Sequence, residues 1–205
     1  MDIYLQTERL ILRRFTRDDV DNLVDLDSDP EVMRYLSGGT PTPRNVIENL
    51  ILPRFLHSYE RFPGLGYWAA IDRSTGAFLG WFCFSPPAEG RAEEVELGYR
   101  LRREAWGKGL ATEGSRALIE KGFAELGVER VYANAYEENT ASRRVMEKSG
   151  LRFVRSYRLS SEVLAANGTF AGDPDDVWQG EDVEYALERA EWEQSYNRRK
   201  RSIPP

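Results

Sequence analysis

Apolar and polar side chains alternate residue by residue along several short stretches of the chain, and this period of two predicts β-strands. In "RLILRRF" (residues 9–15), apolar residues alternate with charged ones. Residues 66–85 contain two β-rich runs around the polar, glycine-ended turn "RSTG", which predicts a β-hairpin. The remaining predicted strands cover residues 92–103, 130–136, 151–159 and 182–189.

Helical spacing of apolar residues predicts helices between the first strand and the hairpin. Residues 16–36 predict two short helices that are broken around Pro30. Residues 42–62 predict a longer helix with Thr42 as its N-cap and a kink at Pro53.

Two amphipathic helices are predicted in the second half of the chain. The first follows a glycine-rich turn and ends at Gly127, a residue suited to a C-terminal cap. The second covers residues 139–150, with Asn139 at its start and Gly150 past its end.

The order of these elements is strand, helices, three strands, helix, strand, helix and two strands, which predicts a mixed α/β domain around one sheet. The chain has 205 residues, the length of one generous domain. We therefore expect a single domain over residues 1–195. The basic segment "NRRKRSIPP" predicts a flexible tail over residues 196–205.

Composition and net charge limit the kinds of binding partner expected for the chain. The chain is 41% hydrophobic and 30% charged, as expected for a folded domain with a core, and its formal net charge is −6. This charge gives no reason to expect a nucleic-acid or anionic-membrane partner. The N-terminus resembles no signal peptide, and no apolar run approaches membrane-spanning length, so we expect a cytoplasmic protein.

The chain holds one cysteine, Cys83, and one histidine, His57. An internal disulfide, a cysteine zinc site and a multi-histidine metal site are thereby excluded. Cys83 lies in the apolar run "WFCF" and is expected in the core. His57 lies in a helical stretch far from any nucleophile motif, and we expect it to be structural or on the surface.

The turn "WGKGLATEG" (residues 106–114) carries the strongest chemical signal. It is not a P-loop, because Gly109 follows Lys108 where Ser or Thr is required. It is a poor dinucleotide fingerprint, because Thr112 stands in place of the third glycine. Gly107 and Gly109 allow successive backbone N–H groups to converge at a helix N-terminus, which suits a pyrophosphate. A tight strand-to-helix turn without a ligand is the alternative.

The surrounding sequence resembles the GNAT family of acetyl-CoA-dependent N-acetyltransferases. The resemblance rests on "ELGYRLRREAWGKGLATEGSRALIEKGF" together with "NTASRRVMEKSGLRFV". The segment "TERLILRRF" is similar to the opening segment that is typical of one branch of this family, the enzymes that acetylate ribosomal-protein N-termini. The resemblance implies a central twisted, mostly antiparallel sheet with one splayed parallel pair, flanked by helices. It also implies acetyl-CoA as co-substrate, without a metal.

In the family, the segment R/Q-x-x-G-x-G/A opens the helix that binds the coenzyme A pyrophosphate. Here Trp106 replaces the usual Arg or Gln. The implied pyrophosphate residues are Trp106, Gly107, Lys108, Gly109, Leu110, Ala111 and Thr112.

The resemblance also implies that the strand at 96–102 splays from the strand at 130–136, so that the pantetheine arm bonds to the backbone near Tyr99 and Leu101. Asn139 and Ser142 match the family's "N-x-x-S" beside the pantetheine and the thiol, although Asn139 is also explained as an N-cap alone. Lys148, with Arg143 and Arg144, is a candidate for the ribose phosphate or the adenine; an exposed basic helix face is the alternative.

Acyl transfer to an amine needs a base and a group that stabilises the departing thiolate. Glu94 and Glu96 share one strand face, and Glu96 matches a catalytic or amine-orienting Glu in the family's "E-x-G-Y". Ser142 is the candidate for hydrogen bonding to the thiol, with Tyr157 and Tyr136 as competitors.

The favoured function is acetyl transfer from acetyl-CoA to a primary amine by direct attack in a ternary complex. A non-catalytic acyl-CoA-binding or sensing domain and a nucleotide-binding protein unrelated to coenzyme A are the alternatives. The acceptor is open among protein N-termini, polyamines and aminoglycoside-like amines, and a homodimer is an open possibility. The acidic loop at 160–181 is a candidate to attract a cationic amine, through Asp173, Asp175, Asp176, Glu181 and its neighbour Asp182.

Overall fold

The computed structural model describes residues 2–87, 91–158 and 180–201 of the chain. Within these ranges, eight strands form one sheet with the order β1-β2-β3-β4-β5-β6-β8-β7. The strands are β1 Ile3–Gln6, β2 Leu10–Arg14, β3 Gly66–Asp72, β4 Phe78–Ser85, β5 Glu94–Leu101, β6 Arg130–Tyr136, β7 Arg152–Tyr157 and β8 Asp182–Glu188.

Helices cover both faces of this sheet. They are α1 Val20–Asp27, α2 Pro30–Ser37, α3 Arg44–Val46, α4 Leu52–Arg61, α5 Leu110–Glu125, α6 Thr140–Ser149 and α7 Arg189–Arg201. A π-helical turn, Ile47–Ile51, joins α3 to α4.

The sheet is antiparallel at every pairing except β5–β6, which is parallel. This confirms the expected α/β fold with one parallel pair in a mostly antiparallel sheet. The parallel register is short: it runs from Glu94↔Arg130 to Glu96↔Tyr132.

Two apolar clusters lie on opposite faces of the sheet, because successive strand residues point to opposite sides. The larger one joins inward residues of six strands to α5 and α6, with Phe82, Phe84 and Phe123 among its fully buried side chains. Trp192 of α7 packs on this cluster, with its ring centroid 5.5 Å from that of Phe123. The second cluster packs α1, α2, the π turn and α4 against Ala69 and Ile71 of β3.

Some local predictions need correction. Thr42 is not the cap of the third helical segment, which begins at Arg44 after Pro43. Thr42 Oγ1 instead donates to the buried Asp27 carboxylate at 2.7 Å, since a buried carboxylate requires hydrogen-bond donors. The predicted kink at Pro53 corresponds to the π turn, because Pro53 stands in the first turn of α4 and has no N–H to donate.

Two elements lie beyond the sequence prediction. β1 pairs with β2, and its Tyr4 ring stacks on Trp68 with centroids 3.6 Å apart. α7 continues to Arg201, into the segment expected to form a tail, and residues 202–205 of that segment lie outside the described ranges.

Cys83 is buried, as expected of a core residue, and His57 is exposed on α4. In the three ranges given above, no group of His, Cys, Asp and Glu side chains is arranged to hold a metal ion. No helix among the same residues is both long and apolar enough to cross a bilayer.

Candidate active site

A gap opens inside the sheet where β5 and β6 diverge. Their pairing ends at Glu96↔Tyr132, whereas β5 continues to Leu101 and β6 to Tyr136. This divergence confirms the predicted splay between the two strands.

The free backbone groups of β5 face this gap. Arg102 N donates to Leu79 O at 2.8 Å, next to the Gly80↔Leu101 pair. Hydrogen-bonded and non-hydrogen-bonded pairs alternate along an antiparallel ladder. The N–H and C=O groups of Tyr99 and Leu101 therefore point away from β4 and toward the divergent β6.

The glycine turn stands at the end of β5 and opens α5. Gly107 and Gly109 have φ values of 72° and 77°, in the left-handed region that favours glycine. Residues 106–109 are exposed, and α5 begins at Leu110. The first turn of an α-helix leaves backbone N–H groups without intrahelical partners. The turn thus fits a pyrophosphate: it is open, its two glycines hold left-handed φ angles that let the backbone approach an anion closely, and a helix N-terminus adds positive potential.

Trp106 has a role that sequence reasoning missed. Its indole Nε1 donates to the Leu101 carbonyl oxygen at 2.8 Å, which fastens the glycine turn to the end of β5. The Leu101 carbonyl is therefore already hydrogen-bonded, and the N–H of Leu101 together with the backbone of Tyr99 supplies the free groups at this part of the gap. The "W-G-K-G" pattern gave no signal for this contact, because it depends on where β5 ends.

The N-terminus of α6 approaches β5 through Ser142. Asn139 Oδ1 accepts from Ser142 N at 3.0 Å, so Asn139 is the N-cap of α6. The Tyr99 hydroxyl lies 3.0 Å from both Ser142 O and Ser142 Oγ. Burial raises the pKa of Tyr99 to about 12, so its hydroxyl stays protonated at neutral pH. The Tyr99 side chain thus places a second hydroxyl group beside Ser142, which the "N-x-x-S" motif did not indicate.

On the opposite face of β5, Glu96 belongs to a short polar chain across the gap. Asn134 Oδ1 accepts from Tyr157 Oη at 2.9 Å, and the Asn134 side chain lies close enough to the Glu96 carboxylate to stabilise its charge. Burial raises the pKa of Glu96 above its usual range, and the polar Asn134 side chain partly offsets that rise. Glu94 is instead paired with Arg130 at 3.1 Å, which distinguishes the two glutamates of the strand.

The two tyrosines that competed with Ser142 lie on this same sheet face, opposite Asp182 in register. Burial raises the pKa of Tyr157 to about 12, with the nearby Asp182, Glu184 and Glu96 charges adding to the rise. Burial raises the pKa of Tyr136 as well. Because its hydroxyl donates to Asn134, Tyr157 is tied to the Glu96 chain rather than to Ser142.

Asp182 is the acidic residue of the 160–182 region that the structure places on the site face. It is 6% exposed, and burial raises its pKa to about 6. Asp173, Asp175 and Asp176 lie outside the described residues, whereas Glu181 is half-buried.

The basic candidates differ in their surroundings. Lys108 and Lys148 are exposed, and the Lys148 carbonyl accepts from the Arg116 guanidinium of α5. Arg144 is exposed too. Arg143 donates to Tyr185 Oη at 3.2 Å and to Glu137 O at 3.1 Å, which holds it against β8 and the loop before α6.

Comparisons with known proteins agree with this geometry. Residues 9–152 match the family model of the Acetyltransferase (GNAT) domain. A relative from Aspergillus fumigatus, named FsC-acetyl coenzyme A-N(2)-transacetylase, is 30% identical over 195 residues, which span 92% of this chain and 77% of the relative.

Solved structures share the fold. An acetyltransferase (GNAT family) from Bacillus anthracis superposes with a TM-score of 0.69 at 24% identity, covering 93% of this chain and 99% of that one. The aminoglycoside acetyltransferase AAC(6')-Ib, solved in complex with coenzyme A, superposes with a TM-score of 0.66 at 18% identity over 91% of this chain and 99% of that one.

Proposed function

The chain belongs to the GNAT acetyltransferase family, and from that premise we propose that it transfers the acetyl group of acetyl-CoA to a primary amine. The transfer proceeds by direct attack of the amine in a ternary complex. The observation that carries this proposal is the gap between β5 and β6, which has the glycine turn at one end and the Glu96–Asn134 pair on its wall.

Acetyl-CoA supplies an activated thioester carbonyl. The exposed turn at 106–109 and the first turn of α5, Leu110 to Thr112, hold its pyrophosphate through backbone N–H groups. The backbone of Tyr99 and the N–H of Leu101 hold the pantetheine arm in the manner of an added strand, and a backbone N–H polarises the carbonyl. Asn139 caps the start of α6, and Lys148, near the C-terminal end of that helix, is the residue proposed to contact the ribose phosphate.

Glu96 acts as the base that accepts a proton from the attacking amine, directly or through water. A lysine-type amine has a pKa of ~10.4 and an α-amine one of ~8, so deprotonation at pH 7 costs about 4 to 5 kcal/mol for the former and about 1 to 1.5 kcal/mol for the latter. The raised pKa of Glu96 brings the carboxylate closer to the working pH of a base. The neighbouring Asn134 side chain stabilises the ionised carboxylate.

The departing thiolate is stabilised at the N-terminus of α6. Ser142 Oγ donates a hydrogen bond to the thiolate, and the Tyr99 hydroxyl, 3.0 Å from Ser142 Oγ, holds the serine side chain in place. This pair is favoured over Tyr157, whose hydroxyl donates to Asn134.

The acceptor proposed is a cationic amine. Glu96 and Asp182 place two carboxyl groups on one face of the sheet, and opposite charge favours a protonated amine during encounter. The name of the Aspergillus relative, an acetyl coenzyme A-N(2)-transacetylase, agrees with transfer to nitrogen.

A thermal-shift titration with acetyl-CoA, coenzyme A, NAD and ATP in parallel tests the co-substrate. A ligand at 100 times its dissociation constant adds about 2.7 kcal/mol of stability. We expect the two coenzyme A compounds alone to raise the melting temperature; stabilisation by NAD or ATP instead contradicts the proposal.

A second assay measures free thiol released from acetyl-CoA in the presence of an amine panel: peptides with free N-termini, a polyamine and an aminoglycoside. Release that depends on one amine class identifies the acceptor. Tight acetyl-CoA binding with no release for any amine assigns the chain to the non-catalytic alternative.

A further inference from the structure

An ion pair joins the first turn of α5 to the residue that precedes β2. Arg9 Nε donates to Glu113 Oε2 at 2.7 Å, Arg9 Nη2 lies 2.6 Å from the same oxygen, and Arg9 N donates to Glu113 Oε1 at 2.9 Å. Thr7 Oγ1 donates to that second oxygen at 2.6 Å. The two partners are 104 residues apart in the chain, so the contact is formed by the tertiary fold alone.

The guanidinium of Arg9 also reaches the glycine turn itself. Arg9 Nη1 donates to the Lys108 carbonyl oxygen at 2.8 Å. Arg9 Nη2 would lie 3.7 Å from a Cβ atom built on Gly109, so the arginine lies on the side of Gly109 to which a side chain would point.

From these contacts we propose that Arg9 is a positioning residue for the pyrophosphate of acetyl-CoA: it holds the glycine turn in the conformation that binds the anion. This inference rests on the proposed function. In a planar trans peptide, the C=O of one residue and the N–H of the next point in opposite directions. Because Arg9 holds Lys108 C=O on its own side, Gly109 N–H points to the opposite side, where the proposal puts the pyrophosphate.

The positive charge of Arg9 also favours binding of the pyrophosphate. Glu113 stands in the first turn of α5, where its negative charge would oppose a bound anion. Arg9 neutralises this carboxylate. Although partial burial raises the pKa of Glu113, the hydrogen bonds from Thr7 and Arg9 lower it below its usual range, so Glu113 remains ionised and paired at neutral pH.

Isothermal titration with coenzyme A tests the assignment, with pantetheine, which lacks the pyrophosphate, as the comparison ligand. Arg9→Ala removes one hydrogen bond to the turn and takes away the positive charge that neutralises Glu113, and we expect coenzyme A affinity to fall about fivefold to tenfold. We expect millimolar pantetheine to raise the melting temperature of Arg9→Ala by the same amount as that of the wild-type protein. Arg14→Ala is the matched control, because Arg14 lies on β2, is 47% exposed like Arg9, and pairs with Asp2 away from the turn.

The double variant Arg9→Ala/Glu113→Gln separates positioning from charge. We expect it to recover only part of the lost coenzyme A affinity; complete recovery would show that Arg9 merely neutralises Glu113 and would overturn the positioning role. Arg9→Lys keeps the positive charge, but an ammonium group does not have the planar fork that reaches the Lys108 carbonyl and the Glu113 carboxylate together. We expect its affinity for coenzyme A to lie between those of the wild type and Arg9→Ala. If Arg9→Ala does not fold, Arg9→Gln replaces it in the same titration.

Two further results overturn the inference while leaving the proposed function intact: wild-type affinity for coenzyme A in the Arg9 variants, or an equal loss of coenzyme A and pantetheine binding. Failure of the wild-type protein to bind coenzyme A at all overturns the proposed function itself.

Discussion

Replacing Asp182 by Asn should stabilise the protein at neutral pH and leave its stability at low pH almost unchanged. Asp182 opens β8 and is 6% exposed, in register with Tyr136 and Tyr157. Burial raises its pKa to about 6, because the charged carboxylate loses hydration. Asparagine has the same shape and no charge to desolvate.

The size and sign of the effect follow from the pKa values of the two states. An unfolded aspartate has a pKa of ~3.9, and each pKa unit is worth 1.36 kcal/mol, so the folded state loses about 3 kcal/mol when Asp182 is ionised in both states. Below pH ~4 both states are protonated, and the group contributes nothing. As the pH rises from ~4 to ~6 the unfolded chain releases the proton first, and stability falls; above ~6 the loss is complete.

Urea unfolding of wild type and Asp182→Asn at pH 5 and pH 7.5 measures this difference. We expect a gain of about 1.5 kcal/mol at pH 5 and about 3 kcal/mol at pH 7.5. Asp18→Asn, at an exposed position, serves as control and should show no comparable gain at either pH. A gain for Asp182→Asn that is absent, or that is equal at the two pH values, refutes the reasoning. If Asp182 helps to bind a cationic acceptor, the stabilised variant should also need more amine for half-maximal rate, as expected where a site is kept at the expense of stability.

Three further substitutions test the proposed base, the glycine turn and the packing of α5 on β4. Glu96→Gln keeps the shape of the base but cannot accept a proton, and we expect kcat/KM for the amine to fall about 10²- to 10³-fold while titration shows unchanged coenzyme A affinity; near-wild-type turnover would exclude Glu96 as the base. Gly109→Ala forces a φ of 77° on a residue with a Cβ, which costs about 1 to 2 kcal/mol, and coenzyme A should bind roughly tenfold more weakly by calorimetry; equal affinity would show that the turn does not need this conformation. Gly122→Ala places a Cβ 2.6 Å from the Phe84 ring, and urea unfolding should show a loss of about 1 to 3 kcal/mol or more; wild-type stability would show that the ring can move aside.

Local sequence signals predicted the elements that local chemistry specifies. The hairpin at 66–85, the N-cap at Asn139 and the left-handed glycine after α6, Gly150, depend on residues within a few positions of one another. The splay between β5 and β6 was expected only from the family resemblance, because no periodicity in either strand encodes where their pairing ends.

Long-range contacts account for what the sequence could not predict. Thr42 has the side chain of an N-cap, yet it donates to the buried Asp27, which also accepts from Arg100 at 2.6 Å. Likewise, the link from Asn134 to Tyr157 and the contact of Tyr99 with Ser142 join positions 23 and 43 residues apart. The residue types at these positions are ordinary in a strand, and their role follows only from the register of the sheet.

Although β5 lies between β4 and β6 in the strand order, its pairing with β6 ends at Glu96. From that residue to Leu101, the side of β5 that faces β6 has the character of a sheet edge, and the amides on that side should exchange with solvent deuterium faster than those of β4. An open edge is ordinarily a site where another chain can add a strand. Here β6 still pairs with β5 at Glu96↔Tyr132, so the opening is a wedge that is closed at this end and not a fully exposed sheet edge. A polypeptide strand, which carries side chains on alternate faces, does not fit such a wedge as readily as an unbranched ligand. Among the described strands, the wedge therefore leaves backbone groups of β5 accessible to a narrow ligand without giving the sheet an open edge in addition to those at β1 and β7.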